Sequence, residues 1–533
     1  MHQGHSVVPT RLPGARALER LQAYPRTLIE LNGPRAASAA PALRRSGGEL
    51  IGPQLSVWRL PSWTAKRILP GLMRRGLVRS VTPDVPLMAS STGMVNGFLS
   101  SFTDPLSSQE WWPAHVGVTN WTPPGPGVPL TFIDSGVDRS HEEFASRPDT
   151  TALNTQTFSA NEEELHGTAT ASVAAAPENG VGVVGIYPQA KLQLWDASPE
   201  GDLTVGDEIQ GLSSAIAHGP GVINLSLGGF DRLAIEEQWI LAAFAKGSLV
   251  VAAAGNDREA GSRLSYPASF AHVLTVGATD EFDNVTSFSS ASPDLDLAAP
   301  GQDIVAAIPT IFDPPGTSTP GYAPLDGTSF SAPLVAGAAA AIWTARPTLT
   351  NTQLFEVMRH SARDSGKRGW DANTGYGILD VAAAAVRKPP AADPQEPNED
   401  IYLVKPNGLS RAGHPALTRP GVPRATLPAH LERAEDPEDL YRVYLPAHGH
   451  ISVTVRPKGN VSLEVWGRQT RTVLESGVLA RRDLIAASAH AGRKAEHVIL
   501  RGRGAGQYVY VDVFLPKQSA TADYSLSVAP ARP

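Results

Sequence analysis

The sequence predicts an α/β protein: a doubly wound parallel sheet, with a small α+β region ahead of it and an antiparallel β-sandwich behind. Three observations carry that prediction. Residues 103–387 alternate strand-like and helix-like segments, the pattern of a parallel sheet covered by helices. The strand segments there are near-continuous apolar runs, such as SLVVAAA over residues 248–254, as expected of strands buried on both faces. Beyond residue 400 the apolar period changes to two and no helical pattern intervenes, which describes a sandwich.

In the N-terminal region, 1–102, Leu55–Leu60 and Leu77–Val81 alternate like strands. Ser62–Arg75 between them reads as a helix that Ser62 can cap. In the central region the predicted strands are Pro129–Ile133, Lys191–Trp195, Val222–Leu227, Ser248–Ala253, His272–Val276 and Asp303–Ile308. The predicted helices are Gly167–Ala176, Asp207–His218, Leu233–Lys246, Ser331–Ala345 and Asn351–Ser361. A Pro- and acid-rich linker, 388–400, follows. The third region, 401–533, offers strands at Tyr441–Leu445, His450–Val455, Val461–Trp466, His497–Leu500, Tyr508–Phe514 and Tyr524–Val528.

At 533 residues the chain has room for two to four domains, and its 42 % hydrophobic and 18 % charged content suits a sizeable core. The net charge of -7 gives no reason to expect nucleic-acid binding. Charge is uneven: residues 1–80 hold 13 Lys+Arg against 3 Asp+Glu, a balance of +10, and the remainder carries -17. Either the two parts attract each other or the basic part is a disordered tail. The absence of cysteine excludes disulfides, thiolate metal sites and a cysteine nucleophile. The most apolar helical run, Ala332–Trp343, falls short of the roughly 20 residues of a membrane span. The first 20 residues lack the apolar core of a signal peptide, so either the chain stays inside the cell or its true start lies upstream.

Four short segments carry chemistry. In LTFIDSGVD a strand runs into Asp134, placed to orient a histidine; alone, it is as well explained as a turn cap. In HGTATA, His166 opens a small-residue helix that can pack close beneath a sheet; a lone histidine there is ordinarily structural. In AAAGND, Asn256 follows a buried strand, where its amide can donate to an oxyanion; Gly-Asn is also a plain turn. In GTSFSAP, Gly327 permits a tight approach, Ser329 sits at a helix start, and Pro333 suits a first helical turn; a single Ser there is by default a cap. Their conjunction is what the structural explanations do not cover. All four fall at strand ends or helix starts of one predicted sheet, in the order Asp, His, Asn, Ser, and the order Asp–His–Ser is the one subtilisin uses for its convergent triad.

IDSGVD, HGTATAS, INLSLGG, AAAGND and GTSFSAP together resemble the signature segments of the subtilisin-like serine peptidases over about 103–387. The resemblance implies a subtilisin-like fold and a serine endopeptidase. Its triad would be Asp134, His166 and Ser329, with Asn256 and the Ser329 N–H as oxyanion hole. It also implies that Ser226, Leu227, Gly228 and Gly255 bind an extended substrate. Where the family often has a second His and a later Gly, Ala169 and Ser172 stand here, at helix-packing positions. An imidazole base of ordinary basicity predicts loss of activity below about pH 6–7. No cofactor is needed for such chemistry. Pro177–Val183 resembles a calcium loop of the family, with Glu143, Asn179, Val181 and Val183 as ligands in carboxylate, amide and carbonyl form; its other reading is a short Gly turn. Tyr266-Pro267-Ala268 and Ser265 would lie near a roomy primary pocket, and Asp257 would favour a basic residue at its rim.

Residues 50–90 resemble a subtilase propeptide, an intramolecular inhibitor, with cleavage expected in 88–104. EPNED, DPEDLYRVYL and GQYVYVDV resemble the pre-peptidase C-terminal domain of secreted bacterial peptidases, which implies export or a place in the cell envelope. The expected partners are protein or peptide substrates and the chain's own propeptide, acting on a monomer with no nucleic acid and no membrane span. A catalytically dead binding scaffold and a ligating or cyclising enzyme are the rival classes.

Overall fold

The structure, a computed structural model, describes residues 24–32, 36–89, 102–157, 165–199, 201–391, 395–408, 413–470, 472–473, 483–516 and 519–532. Most of the expected cleavage stretch, 90–101, lies outside the described residues. The chain forms two compact units, 1–390 and 391–533.

The first unit begins with a four-stranded antiparallel sheet, ordered β2-β3-β1-β4. Its strands are β1 (Arg26–Leu31), β2 (Glu49–Gly52), β3 (Val57–Pro61) and β4 (Val78–Pro83), and it carries helices α1 (Ala36–Arg45) and α2 (Ser62–Arg74). Ile29, Trp58, Leu60, Leu69 and Leu72 form its core. Ser62 does not cap α2. Pro61 holds the N-cap position without a side-chain bond, and the Ser62 hydroxyl pairs instead with Thr27 Oγ1 of β1 at 2.7 Å. A buried hydroxyl on β1 takes the place of the cap. A short strand, β5 (Met88–Ala89), follows.

The main sheet is seven-stranded and parallel, ordered β13-β12-β11-β9-β6-β8-β7. Its strands are β6 (Pro129–Asp134), β7 (Thr150–Ala152), β8 (Lys191–Asp196), β9 (Val222–Leu225), β11 (Leu249–Ala253), β12 (Val273–Thr279) and β13 (Leu297–Pro300). The chain winds outward from β6 to β8 and β7 on one side and to β9, β11, β12 and β13 on the other. The C-terminal end of β6 is therefore the switch point where open α/β sheets place ligands. Helices α3 (His166–Ala175) and α6 (Thr328–Ala345) are buried along nearly their whole length, so they show no amphipathic face. Helices α4 (Val205–Ala217), α5 (Ala234–Ala245) and α7 (Asn351–Ser361) complete the layers.

Two predicted strands change. The run Val222–Leu227 breaks at Ser226, which separates β9 from the short β10 (Leu227–Gly228). Asp303–Ile308 yields β14 (Ile304–Ala307), but it pairs antiparallel with β15 (Tyr322–Leu325) outside the main sheet. The main sheet is extended by β13, in parallel register with β12. A short apolar run declares a buried strand without declaring its partner. By length and composition α6 alone, among the described residues, is apolar enough to cross a membrane, yet it lies buried in the protein.

The second unit packs two four-stranded antiparallel sheets, β16-β23-β18-β21 and β17-β22-β19-β20. The first comprises β16 (Ala425–Glu432), β18 (His450–Pro457), β21 (Glu496–Arg501) and β23 (Thr521–Pro530); the second comprises β17 (Glu438–Leu445), β19 (Ser462–Trp466), β20 (Leu484–Ser488) and β22 (Gln507–Phe514). Burial alternates strictly along β21, and Tyr441, Val453, Leu463, Val511 and Leu526 meet in the core.

Candidate active site

Asp134 ends β6 and His166 begins α3, and the two meet at the switch point. Asp134 Oδ1 lies 2.7 Å from His166 Nδ1 and accepts the Ser135 N–H at 2.8 Å. Its Oδ2 accepts the Thr170 hydroxyl at 3.0 Å. Asp134 and His166 are 1 % and 2 % exposed, so the pair is shielded from competing water. The helix can come this close because residue 167 is glycine: a Cβ there would stand 1.9 Å from the Ser135 carbonyl oxygen. The same approach lets the Gly167 N–H donate to Ser135 Oγ at 2.8 Å. Thr170 was not foreseen, although its spacing of four from His166 puts both on one face of the helix. Ser172, at a departure from the family pattern, accepts the Ala307 N–H at 2.9 Å and so ties α3 to β14.

Ser329 is the second residue of α6, which starts three residues earlier than predicted. Pro333 therefore sits past the first turn, where its missing N–H leaves the Ser329 carbonyl without a helical donor. Ser226 fills the gap: its hydroxyl donates to that carbonyl at 2.8 Å. In return the Ser329 hydroxyl donates to the Ser226 carbonyl at 3.1 Å. Among the described residues no group hydrogen-bonds His166 Nε2, which is buried. Among the described residues no hydrogen bond joins Ser329 to His166, and the imidazole reaches α6 at the next residue: its ring centroid lies 6.0 Å from that of Phe330.

Asn256 follows β11. Its Oδ1 accepts both the N–H and the hydroxyl of Thr328, at 3.0 and 2.9 Å. That leaves the amide NH₂ for the pocket at Ser329, which Asn256 lines. Thr328 also accepts the Gly255 N–H at 3.2 Å, so one hydroxyl sets both residues. The predicted Ser226, Leu227, Gly228 and Gly255 line the same pocket.

A segment of the chain already lies there. Leu227 pairs antiparallel with Ala89, and Gly228 with Met88. On the other side the Leu87 N–H donates to the Leu203 carbonyl at 2.8 Å and Val205 N–H to Val85 carbonyl at 3.0 Å. Leu87 is buried, while Met88 is 55 % exposed and lines the pocket at Ser329. The module behind this segment is anchored on α4. Arg59 Nη1 meets Asp207 at 2.6 Å, Asp84 accepts the Gly206 N–H at 2.7 Å, and Ser213 donates to Gln54 at 2.8 Å.

The pocket is charged differently from the expectation that Asp257 stands free at its rim. Phe230 and Arg263 line it beside Ser265; Tyr266, Pro267 and Ala268 do not. The Asp257 carboxylate, expected to be available to a basic substrate, is taken by Arg263 Nε and Nη2 at 2.8 and 2.9 Å, which holds it below the usual carboxylate range.

At the Pro177–Val183 loop, Glu143 Oε1 accepts the Val183 N–H at 2.9 Å and the Tyr322 hydroxyl at 3.0 Å. Glu143 Oε2 is buried with no hydrogen-bond partner among the described residues. Burial pushes the Glu143 carboxyl up to about 8, with Asp104 and Glu142 adding to the effect. Asp104, not foreseen, accepts the Asn179 and Gly180 N–H groups, both at 2.9 Å, and Asn179 Oδ1 accepts the Val181 N–H at 3.0 Å. An unsatisfied buried carboxylate oxygen among oxygen donors fits a hard cation.

Comparison with known proteins bears on the whole arrangement. Residues 125–377 match the model of the Subtilase family. Subtilisin amylosacchariticus of Bacillus subtilis subsp. amylosacchariticus is 35 % identical over 266 residues, 49 % of this chain and 66 % of the relative. Subtilisin of Bacillus pumilus is 34 % identical over 266 residues, 49 % of this chain and 92 % of that protein. Among solved structures, fervidolysin from Fervidobacterium pennivorans, described as a keratinolytic enzyme related to subtilisin, superposes with a TM-score of 0.60 at 17 % identity. The superposition covers 89 % of this chain and 84 % of fervidolysin, and shows the shared fold.

Proposed function

The chain belongs to the subtilase family, and on that premise we propose that it is a serine endopeptidase made as a self-processing zymogen. The observation that carries the reading is the buried Asp134–His166 pair at 2.7 Å, which fixes one imidazole nitrogen and leaves Nε2 without a partner, with the imidazole 6.0 Å from the ring of Phe330, the residue after Ser329. Rotation of the Ser329 hydroxyl from the Ser226 carbonyl to Nε2 would complete the triad. Ser329 Oγ then attacks the scissile carbonyl as its proton passes to His166, and Asp134 stabilises the imidazolium. The Asn256 amide and the Ser329 N–H receive the oxyanion. The proton returns to the leaving amine as the C–N bond breaks, and water hydrolyses the acyl-enzyme by the same route.

The zymogen reading rests on the pairing of Met88–Ala89 with Leu227–Gly228, the position an extended substrate would take by strand addition. The module anchored on α4 would deliver that segment to its own active site and then inhibit it. We read the two-sheet C-terminal unit as a pre-peptidase C-terminal type module, and that reading supports an enzyme of the bacterial exterior or envelope. Calcium has a structural place and no step in the reaction. Glu143, Asn179 and the carbonyls of Val181 and Val183 would hold it, with Asp104 nearby, and its charge would offset the buried carboxylates. Chelation should then lower the Tm; an unchanged Tm removes calcium from the account.

The test of the main proposal compares wild type with Ser329→Ala, following chain length by mass spectrometry and digestion of casein. Wild type should lose its first 88–104 residues and digest casein while the variant stays intact and silent. Equal behaviour of the two would refute it.

A further inference from the structure

We propose that Arg263 sets the primary specificity of the cleft: by holding the Asp257 carboxylate it cancels the negative charge at the pocket and directs the enzyme to neutral side chains, away from Lys and Arg, at the residue before the scissile bond. The inference rests on the peptidase reading above.

Among the described residues that line the pocket at Ser329, Asp257 and Arg263 are the charged ones. The turn between them is built to bring them together. The Asp257 carbonyl accepts the Ala260 and Ser262 N–H groups at 3.1 and 2.8 Å, and Ser262 takes a left-handed φ of 52°. The chain thereby doubles back, and the Arg263 N–H itself donates to Asp257 Oδ2 at 3.1 Å. The guanidinium then closes a bidentate contact on both carboxylate oxygens, the strong, planar form of this pair. The Phe230 ring lies 3.6 Å from the guanidinium carbon, centroid to Cζ, and fixes the plane of the fork by stacking. From behind, Ser290 Oγ accepts the Asp257 N–H at 2.9 Å. Asp257 is 13 % exposed and Arg263 57 %, so the cation lies nearer to solvent than the anion.

A Lys side chain entering this pocket meets an anion that is already paired, beside a cation that repels it. It loses hydration and gains no unpaired charge, which is discrimination by an unfavourable contact. A Glu side chain meets a guanidinium whose fork is already engaged. Neutral side chains lose least.

The test is a set of four tetrapeptide anilides that differ only in the last residue, Phe, Leu, Lys or Glu, given to the full chain after self-processing. Wild type should favour Phe and Leu. Arg263→Ala should raise the Lys-to-Phe ratio of kcat/KM by about 10- to 100-fold, the scale of one unpaired charge at partial burial, and the gain should shrink with added salt. Asp257→Asn should raise the Glu-to-Phe ratio instead, and the double variant should return near the wild-type profile. Arg263→Gln, which keeps a long side chain over Phe230, guards against a local collapse in the alanine variant and should show the same Lys gain. Lys-to-Phe ratios within twofold of wild type in both Arg263 variants would overturn the inference while leaving the peptidase reading intact. A wild type inert on all four peptides and on casein would instead overturn the peptidase reading, and this inference with it.

Discussion

The two halves of the candidate site are held in different ways. Asp134 takes donors from Ser135, His166 and Thr170, all of them buried and all on β6, the residue after it, or α3. Ser329 and Asn256 are set by neighbours that themselves need setting. Thr328 holds Asn256, and Ser226 exchanges hydrogen bonds with Ser329 in both directions. On the proposed reading, the acid–base half is finished before any substrate arrives, whereas the nucleophile half must break one weak bond, Ser329 hydroxyl to Ser226 carbonyl, before it can react. Preorganised charge stabilisation is worth most where water is excluded, and Asp134, His166, Ser226, Thr328 and Ser329 are all buried.

That contrast can be broken, most severely first. His166→Ala should cost about 10⁶-fold in kcat and Asp134→Asn about 10⁴-fold, since a histidine in the wrong tautomer still occupies its place. Single-turnover cleavage of a peptide anilide measures both. Equal and small losses would mean that the Asp134–His166 pair is structural. Asn256→Ala should lower kcat by roughly 10²–10³-fold with little change in KM, because the amide acts on the oxyanion and not on the bound substrate; an effect confined to KM would assign it to binding. Thr170→Val and Thr328→Val should each cost about tenfold, as positioning residues that lose one hydrogen bond. Thr→Ser at either site should restore activity, which a merely structural loss of packing would not allow.

A smaller effect compares buried carboxylates inside and outside the cleft. Asp134 has three donors, whereas Glu208 on α4 and Glu236 on α5 have little but each other. Both are buried, and burial raises Glu208 to about 8 and Glu236 well above its ordinary value. For an acid raised on folding, the native state holds protons that the unfolded chain has released, so stability is fully present below the unfolded value and falls as pH rises toward 8. The Tm of the first unit should accordingly drop between about pH 5 and 8. Glu208→Gln should flatten that slope and raise the Tm at pH 8 by about 2–4 °C. Differential scanning calorimetry across the range checks this, and a slope unchanged by the substitution would place the titration elsewhere.

Much of this was legible in the sequence, for reasons that differ by element. Five of the seven described main-sheet strands read correctly because burial on both faces leaves unbroken apolar runs, as in Leu249–Ala253; β7 and β13 went unread. Six of the eight described sandwich strands read correctly because one face is wet, as the alternation in β21 shows; β16 and β20 went unread. What the sequence hid was partnership. β1 and α1 went unread, since RTLIEL shows weak alternation and α1 contains Pro41. β14 was assigned to the wrong sheet, because nothing local names a strand's neighbour. At the site, Asp134, His166, Asn256 and Ser329 stood out through their motifs, but Thr170 and Thr328 act through hydrogen bonds that only the packed helices create. Asp257 was visible as a charge beside Asn256; that Arg263 would neutralise it depends on a six-residue turn closing back on itself.

If Ser329 is a nucleophile activated by His166, it should react with an electrophile only while His166 is present. Covalent labelling with a fluorophosphonate, followed by peptide mapping, tests it most directly. The account predicts one adduct, on the peptide containing Ser329, formed by wild type and nearly abolished in His166→Ala. Labelling at another serine, or labelling of Ser329 that survives the loss of His166, would contradict it.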